Sequence, residues 1–147
     1  MLIRTATPAD IESMVGMLEQ LCAIEEDFTF DPIKQSTGVS MLIDSPAAVI
    51  LVAEQEGRVV GMVSGQLTLS TAEGGFSLLV EDLFVSARMR GKGIGTALLQ
   101  EVRTWGVLHG AGRLQLLADR TNRAALSFYE RTGWHTTQLV CLRNTAR

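Results

Sequence analysis

Apolar residues recur along this chain at two periods, one typical of helices and one typical of strands. Between positions 11 and 24 they return every three or four residues, as on a helix with one buried face. Thr7 before this run suits an N-cap, Pro8 the first helical position, and Asp10 the positive end of the helix dipole. Similar signals predict four helices, namely Pro8 to about Ile24, Pro32–Asp44, Ile94–His109 and Thr121–Thr132.

Runs rich in Val, Ile and Leu, separated by turn residues, predict strands. Gln55-Glu56-Gly57 joins two of these runs as an antiparallel hairpin, and Thr71–Gly75 forms a second turn. The predicted strands are Leu2–Ala6, Ala48–Glu54, Arg58–Ser70, Phe76–Val85, Arg113–Ala118 and Trp134–Leu142. The order of elements predicts one α/β (α+β) domain, residues 1–147, in which helices pack against a single mixed sheet.

The composition is that of an ordinary globular protein and argues against several functional classes. Apolar residues make up 46% and charged residues 20% of the chain, and the net charge is −3, whereas a nucleic-acid binder normally carries a basic excess. No apolar run is long enough for a signal peptide or a membrane span. The two cysteines and the two histidines are scattered, which predicts reduced thiols and no metal site. We expect a cytoplasmic protein without nucleic-acid or membrane partners.

The segment with the strongest chemical signal follows the fourth predicted strand. An apolar run ending at Val85 leads into a basic turn with three glycines, and a helix begins inside the turn near Ile94. Unpaired N–H groups and partial positive charge at a helix start favour anions, and glycines let a phosphate approach the main chain. With the cations Arg88, Arg90 and Lys92, this pattern predicts a diphosphate site. Its spacing matches neither a P-loop nor a Rossmann fingerprint.

Two segments of the sequence resemble the GCN5-related N-acetyltransferases. Arg90-Gly91-Lys92-Gly93-Ile94-Gly95 matches the family signature Gln/Arg-x-x-Gly-x-Gly/Ala, and Asn122 to Trp134 match Asn-x-x-Ala-x-x-Phe-Tyr-x-x-x-Gly-Phe/Trp. The order of elements agrees across nearly the whole chain, although similarity of individual residues is weak before Val80. The resemblance implies a GNAT-like fold, with a central, mostly antiparallel sheet of about six or seven strands flanked by about four helices.

The resemblance also implies acetyl-CoA as the acyl donor and assigns a part of the chain to each portion of it. The pyrophosphate would lie on main-chain N–H groups of the turn. The pantetheine arm would pair with the end of the fourth strand, where that strand splays from the next. Asn122 would hydrogen-bond the arm, and it also suits the N-cap of the following helix. The implied cofactor-binding residues are Leu83, Phe84, Val85, Arg90, Gly91, Lys92, Gly93, Ile94, Gly95, Thr96 and Asn122.

Direct attack of an amine on the thioester needs a base, a stabilised oxyanion and an acid for the leaving sulfur. Tyr129 matches the family tyrosine near the sulfur and is implied as the acid, the alternative being a core tyrosine on an amphipathic helix. Glu81 resembles the candidate base of polyamine acetyltransferases. Asp82 would face the other side of a regular strand, but a β-bulge is common in this strand of the family and could exchange the two roles. A backbone N–H near Leu83 or Phe84 would polarise the acetyl carbonyl.

The sequence defines the acceptor less closely. The acidic segment Glu25–Asp31 borders the acceptor cleft in the family and would attract a cationic amine, unless it is only a solvated loop. We expect N-acetylation of a primary amine, with a small cationic amine favoured over a protein N-terminus, a lysine or an antibiotic amine. A non-catalytic acetyl-CoA sensor and a structural partner are the alternatives. Relatives often dimerise through late strands, which makes Trp134–Leu142 a candidate homodimer interface.

Overall fold

A computed structural model describes residues 1–24 and 28–146 and divides the chain into two compact units, Met1–Leu116 and Leu117–Arg147. The strands are β1 (Leu2–Thr5), β2 (Ala48–Gln55), β3 (Arg58–Ser70), β4 (Gly75–Val85) and β5 (Ala111–Leu116). The α-helices are α1 (Ile11–Ile24), α2 (Pro32–Asp44), α3 (Ile94–Leu108) and α4 (Arg123–Arg131). Over these described ranges, no helix combines the length and apolar character that a membrane crossing requires.

The first unit is built around a five-stranded sheet in the order β1-β2-β3-β4-β5. Neighbouring strands from β1 to β4 run antiparallel, so short turns connect β2 to β3 and β3 to β4. β5 lies parallel to β4, and α3 forms the crossover that a parallel pair needs. In the middle of β2 and of β3, consecutive residues are all buried although their side chains point to alternate faces, because helices cover both faces of the sheet.

One face of the sheet carries a hydrophobic core beneath α1 and α2. Cross-strand neighbours share a face, and the aligned residues Val52, Met62 and Phe84 cluster there with Met14 of α1 and Val39 of α2. Each of the five is at most 4% exposed. Burial at that level contributes roughly 1.5–3 kcal/mol for each such side chain. This face fixes α1 and α2 beside the end of β4.

On the opposite face, glycines in β3 allow α3 to approach the sheet closely. A Cβ on Gly65 would come within 2.9 Å of Val102 Cγ2 in α3. A Cβ on Gly61 would come within 3.1 Å of Phe84 O and 3.4 Å of Ile94 Cγ2. Larger residues at these positions would push the helix outward. The glycines therefore hold the first residue of α3 against the end of β4.

The predicted fold class is confirmed, and most predicted elements lie within a few residues of those observed. The bounds of α2 and β3 agree completely with the prediction. β5 begins two residues before its predicted start at Arg113, because Gly110, with φ 94°, reverses the chain directly after α3. The sequence therefore determined these elements largely through local signals.

The number of strands is lower than predicted, five instead of six or seven in the described residues. The difference includes Trp134–Leu142, predicted as a last strand, which forms none. Leu139, Val140 and Leu142 are 70–90% exposed, so no partner strand covers this segment. A strand needs a neighbour to pair its N–H and C=O groups, and a β-prone sequence alone does not supply one.

An ion-pair network secures β1 to the chain that precedes α1. Arg4 donates two hydrogen bonds to the Asp10 carboxylate, at 2.8 and 3.0 Å, and one to Glu54 Oε1 at 3.1 Å. Asp10 also accepts from the N–H of Thr7 at 2.8 Å, as expected of an acidic residue in a capping box. The hydrogen bonds from Arg4, which have the largest effect, and the bond from Thr7 lower the pKa of Asp10 to about 2. Asp10 is a buried residue, 6% exposed, and its lowered pKa means that folding favours the charged carboxylate, which adds to stability at neutral pH.

Replacing Asp10 by Asn is expected to destabilise the protein by about 2 kcal/mol at pH 7, from the pKa difference between folded and unfolded chain. Because the folded pKa is depressed, the carboxylate adds its full stability above about pH 4. That contribution is lost as the pH falls through about 2, the folded pKa. Urea unfolding from pH 7 to pH 2 should show the wild type and Asp10→Asn converging, whereas the exposed Glu19→Gln should track the wild type. A pH-independent gap would contradict this account.

Candidate functional site

The glycine turn between β4 and α3 adopts a left-handed backbone at two of its glycines. Gly91 has φ 75°, and Gly93, the N-cap of α3, has φ 84°. L-residues adopt such angles only with strain, so both positions favour glycine. Ile94 is 3% exposed and anchors the start of α3, while Gly91, Lys92 and Gly93 are exposed. The turn therefore presents its main chain to solvent at the helix start.

Six consecutive main-chain N–H groups in this turn, those of Gly91–Thr96, have no hydrogen-bond acceptor within residues 1–24 and 28–146. On one side, the N–H of Arg90 donates to Ala87 O at 3.4 Å. On the other, the N–H of Ala97 makes the first helical bond, to Gly93 O at 3.0 Å. Unpaired N–H groups at a helix start, which carries about half a positive elementary charge, form a favourable environment for an anion.

The side chain of Arg90 turns back toward β4. Its Nε donates to Val85 O at 3.0 Å, and its guanidinium lies 5.3 Å from the centre of the Phe84 ring. Such a cation–π contact adds roughly 0.5–1 kcal/mol at an exposed site. Of the three cations predicted to serve the site, Arg90 is thus engaged within the protein, while Arg88 and Lys92 are exposed. Arg90 joins the turn to the end of the strand.

Among the residues that the structure describes, the ladder between β4 and β5 ends before β4 does. The parallel ladder ends where Val80 pairs with Leu116, and Glu81–Val85 extend beyond it. The ladder ends there because β5 itself ends at Leu116, so a splay of the two strands stays a prediction of the resemblance. A strand that extends beyond its ladder is a template for a hydrogen-bonding ligand with an extended, amide-containing chain.

A β-bulge lies in β4 at the two candidate bases. Met62 pairs with Phe84 and Ser64 pairs with Glu81, so β4 has one residue more than β3 between the same two pairs. Asp82 takes the left-handed conformation, with φ 55°. Glu81 keeps its register opposite Ser64, and the extra residue places Glu81 on the same sheet face as Phe84. A regular strand would have put these two side chains on opposite faces.

Two polar residues of β3 contact Glu81 and were not singled out from the sequence. Ser64 Oγ donates to the main-chain oxygen of Glu81 at 3.1 Å, and Gln66 Nε2 donates to its Oε1 at 3.3 Å. Ser64 is 1% exposed, whereas the Glu81 side chain is exposed. The polar residues at every second position of β3 were the available signal. Their partners depend on pairing with a strand 15 or more residues away, which local sequence does not reveal.

Two implied site residues, Asn122 and Tyr129, lie in the second unit. Asn122 Oδ1 caps α4 by accepting from the N–H of Ala125 at 3.1 Å, so its predicted N-cap role is confirmed. Its NH₂ group donates to no acceptor in the part of the chain that the structure describes. The Tyr129 ring makes edge contacts with Phe128, at 5.4 Å between centroids, and with Trp134, at 6.2 Å.

The acidic segment predicted to attract a cationic acceptor falls partly outside the described residues. Residues 25–27, which hold three of its four carboxylates, are not among those the structure describes. Asp31 caps α2, since its Oδ1 accepts from the N–H groups of Ile33 at 3.0 Å and Lys34 at 3.4 Å. The fourth carboxylate of the segment, that of Asp31, therefore has a structural role. Phe28, in the same segment, is 52% exposed.

Comparison with known proteins assigns the family. Residues 18–134 match the Acetyltransferase (GNAT) family, a range that covers parts of both compact units and every implied site residue. The chain belongs to this family. An uncharacterized N-acetyltransferase of Bacillus subtilis, YhfO, is 33% identical over 92 residues, which cover 63% of this chain and 62% of that protein. The chain thus spans about three fifths of the length of that curated relative.

Solved structures with the same fold superpose on this GNAT protein over nearly the whole chain. A transcriptional regulator from Bacillus halodurans superposes with a TM-score of 0.87 and 24% identity, covering 98% of this chain and 99% of its own. The aminoglycoside N-acetyltransferase AAC(6')-Iy, solved with CoA, gives a TM-score of 0.86 at 16% identity, with 99% and 95% covered. Identities this low establish the common fold alone.

Proposed function

We propose that this GNAT protein transfers the acetyl group of acetyl-CoA to a primary amine, and that its preferred acceptor is a small cationic amine. The observation that carries the proposal is the run of N–H groups at Gly91–Thr96 that have no acceptor among the described residues; its first three residues, Gly91 to Gly93, are exposed at the start of α3. Family membership supplies the reaction class. We also propose that both compact units form one acyltransferase domain, as the length of the family match suggests. A cytoplasmic location and a homodimer stay predictions.

The chemistry of acetyl-CoA fits groups in the glycine turn, at the end of β4 and at the start of α4. A pyrophosphate accepts several N–H donors at once, and Gly91–Thr96 provide six. The pantetheine arm contains two amides in an extended chain, which suits the strand edge at Glu81–Val85. The Asn122 NH₂ group, left over after capping α4, is a donor for a carbonyl of that arm. The Lys92 ammonium would contribute charge, and the main chain would contribute the specific contacts.

The proposed reaction is direct attack. Glu81 takes a proton from the ammonium of the acceptor, directly or through water, and its exposed carboxylate can reach a solvent-borne amine. The neutral amine nitrogen attacks the thioester carbon, so a C–N bond forms as the C–S bond breaks. A main-chain N–H near Leu83 or Phe84 stabilises the oxyanion. Tyr129 donates its proton to the departing CoA sulfur, as its position in the family motif suggests, and the second proton that the nitrogen loses on becoming an amide returns through water to the tyrosine oxygen. The products are an N-acetylated amine and CoA.

An amine-library assay tests this proposal. Purified protein, acetyl-CoA and pooled amines are incubated, and free CoA thiol is measured against a reaction without amine. The pools contain diamines and polyamines, amino acids, aminoglycosides and lysine peptides. We expect amine-dependent thiol release, strongest with diamines or polyamines. If only lysine peptides or aminoglycosides gave thiol release, the proposed acceptor class would be wrong, but the proposed acetyl-transfer reaction would still hold. Calorimetric CoA binding without release from any pool would instead favour an acetyl-CoA sensor.

A further inference from the structure

A buried hydroxyl of β3 bonds to the main chain of β4 directly before the bulge. Ser64 is 1% exposed and shares a face with its cross-strand neighbour Ile50, which is 2% exposed. Its Oγ donates to Glu81 O at 3.1 Å. A hydroxyl in such apolar surroundings is costly unless it is hydrogen-bonded, so Ser64 has a strong preference for keeping this bond.

The bond acts on the geometry of the bulge because peptide groups are planar. The oxygen of Glu81 and the N–H of Asp82 belong to one peptide plane, so a donor that fixes the first also fixes the direction of the second. Asp82 then has φ 55°, a left-handed angle, and the φ and ψ of Asp82 together set the orientation of the next peptide, which carries the N–H of Leu83. A non-glycine residue keeps such an angle only where its surroundings hold it.

We propose that Ser64 is a positioning residue for acyl transfer, which holds the β4 bulge so that the N–H of Leu83 meets the acetyl carbonyl. This rests on the acetyltransferase function proposed above. An oxyanion donor is effective only if it is oriented before the reaction begins. Without the Ser64 hydroxyl, Asp82 relaxes toward an ordinary φ, and the N–H of Leu83 rotates away from the carbonyl. Ser64 touches neither the amine nor the thioester.

The test compares acetyl-CoA with CoA, which differ only in the acetyl group. Calorimetry gives the Kd of both for the wild type, for Ser64→Ala and for Ser64→Cys, whose thiol has nearly the same shape but is a weak donor. The control is Ser77→Ala, which removes the hydroxyl of a second buried serine; Ser77 lies in β4 away from the bulge and is 8% exposed. The kcat with the best amine and the thermal midpoint are measured in parallel.

We expect both Ser64 variants to lower kcat by about tenfold or more, a part of the effect of deleting an oxyanion donor. The Kd for acetyl-CoA should rise about fivefold while the Kd for CoA stays constant, because the pyrophosphate groups bind elsewhere. Ser77→Ala should change neither the kcat nor the ratio of the two Kd values. Equal losses for acetyl-CoA and CoA, or an unchanged kcat and Kd ratio, would overturn the positioning role. If the wild type acetylates no amine, the acyl-transfer function fails, while the Kd ratio still decides whether Ser64 orients the carbonyl donor. If Ser64→Ala does not fold, Ser64→Cys decides alone.

Discussion

Replacing Gly93 by valine is expected to weaken CoA binding by at least about tenfold. Gly93 has φ 84°, and an L-residue in a left-handed conformation costs about 1–2 kcal/mol, while 1.4 kcal/mol corresponds to a factor of ten in Kd. A Cβ added at Gly93 would meet no atom of the described residues within 4 Å, so packing does not oppose the Cβ itself. The backbone must instead shift, which changes the directions of the N–H groups of Gly91–Thr96, or the valine methyls occupy the phosphate position.

Gly57→Val is the matched control for this substitution. Gly57 has φ 77° in the β2–β3 turn and also has no protein atom within 4 Å of an added Cβ. Both variants should lose a similar amount of thermal stability, since both carry a β-branched residue at a positive φ. Only Gly93→Val should lose affinity when CoA is titrated by calorimetry. Wild-type affinity in Gly93→Val would remove the turn as the pyrophosphate site and with it the main support for the proposed function.

Replacing Tyr129 by phenylalanine is expected to lower kcat by about 100-fold while the Kd for acetyl-CoA stays within about twofold of the wild type. A general acid typically contributes a factor of 10² to 10⁴, and only the hydroxyl is removed. The phenylalanine ring retains the edge contacts with Phe128 and Trp134, so α4 should keep its packing. Steady-state kinetics with the best amine from the library measures kcat, and calorimetry measures Kd.

A Trp134→Phe variant separates chemistry from packing. It changes the same aromatic cluster and leaves the tyrosine hydroxyl in place. We expect nearly wild-type kcat for Trp134→Phe, because an aromatic ring still covers Tyr129. If both variants lowered kcat equally, the tyrosine would act by packing. If Tyr129→Phe had wild-type kcat, a different group or water would protonate the sulfur.

The local sequence was sufficient for elements whose signals lie within a few residues of one another. The bounds of α2 follow from Asp31 as N-cap, Pro32 at the first helical position and Ser45 at its end, and the structure has that helix at Pro32–Asp44. Trp134–Leu142 shows the opposite case. It has the composition of a strand, but pairing depends on an available sheet edge, which composition does not encode.

The candidate site divides in the same way. Sequence pattern indicated the glycine turn and its anion preference, because the glycines, the cations and the start of α3 are neighbours in the chain. It left Glu81 and Asp82 as alternative bases, since the choice depends on whether β4 is regular. The structure contains the bulge and puts Asp82 at its left-handed position, with Glu81 in register opposite Ser64. The proton-transfer roles of these residues remain for kinetics to measure.

By itself, the sequence indicated the family, the order of the helices and of the first five strands, and the glycine turn before α3. The tertiary structure decided where the ladder between β4 and β5 ends, where β4 bulges, and which hydroxyl bonds to the strand directly before the bulge. Each of these depends on pairing between β3, β4 and β5, strands that are distant in the chain. A shift of one residue in that pairing would exchange the faces of every side chain along the strand. Register is therefore the quantity that the local pattern does not contain and that the packed sheet supplies.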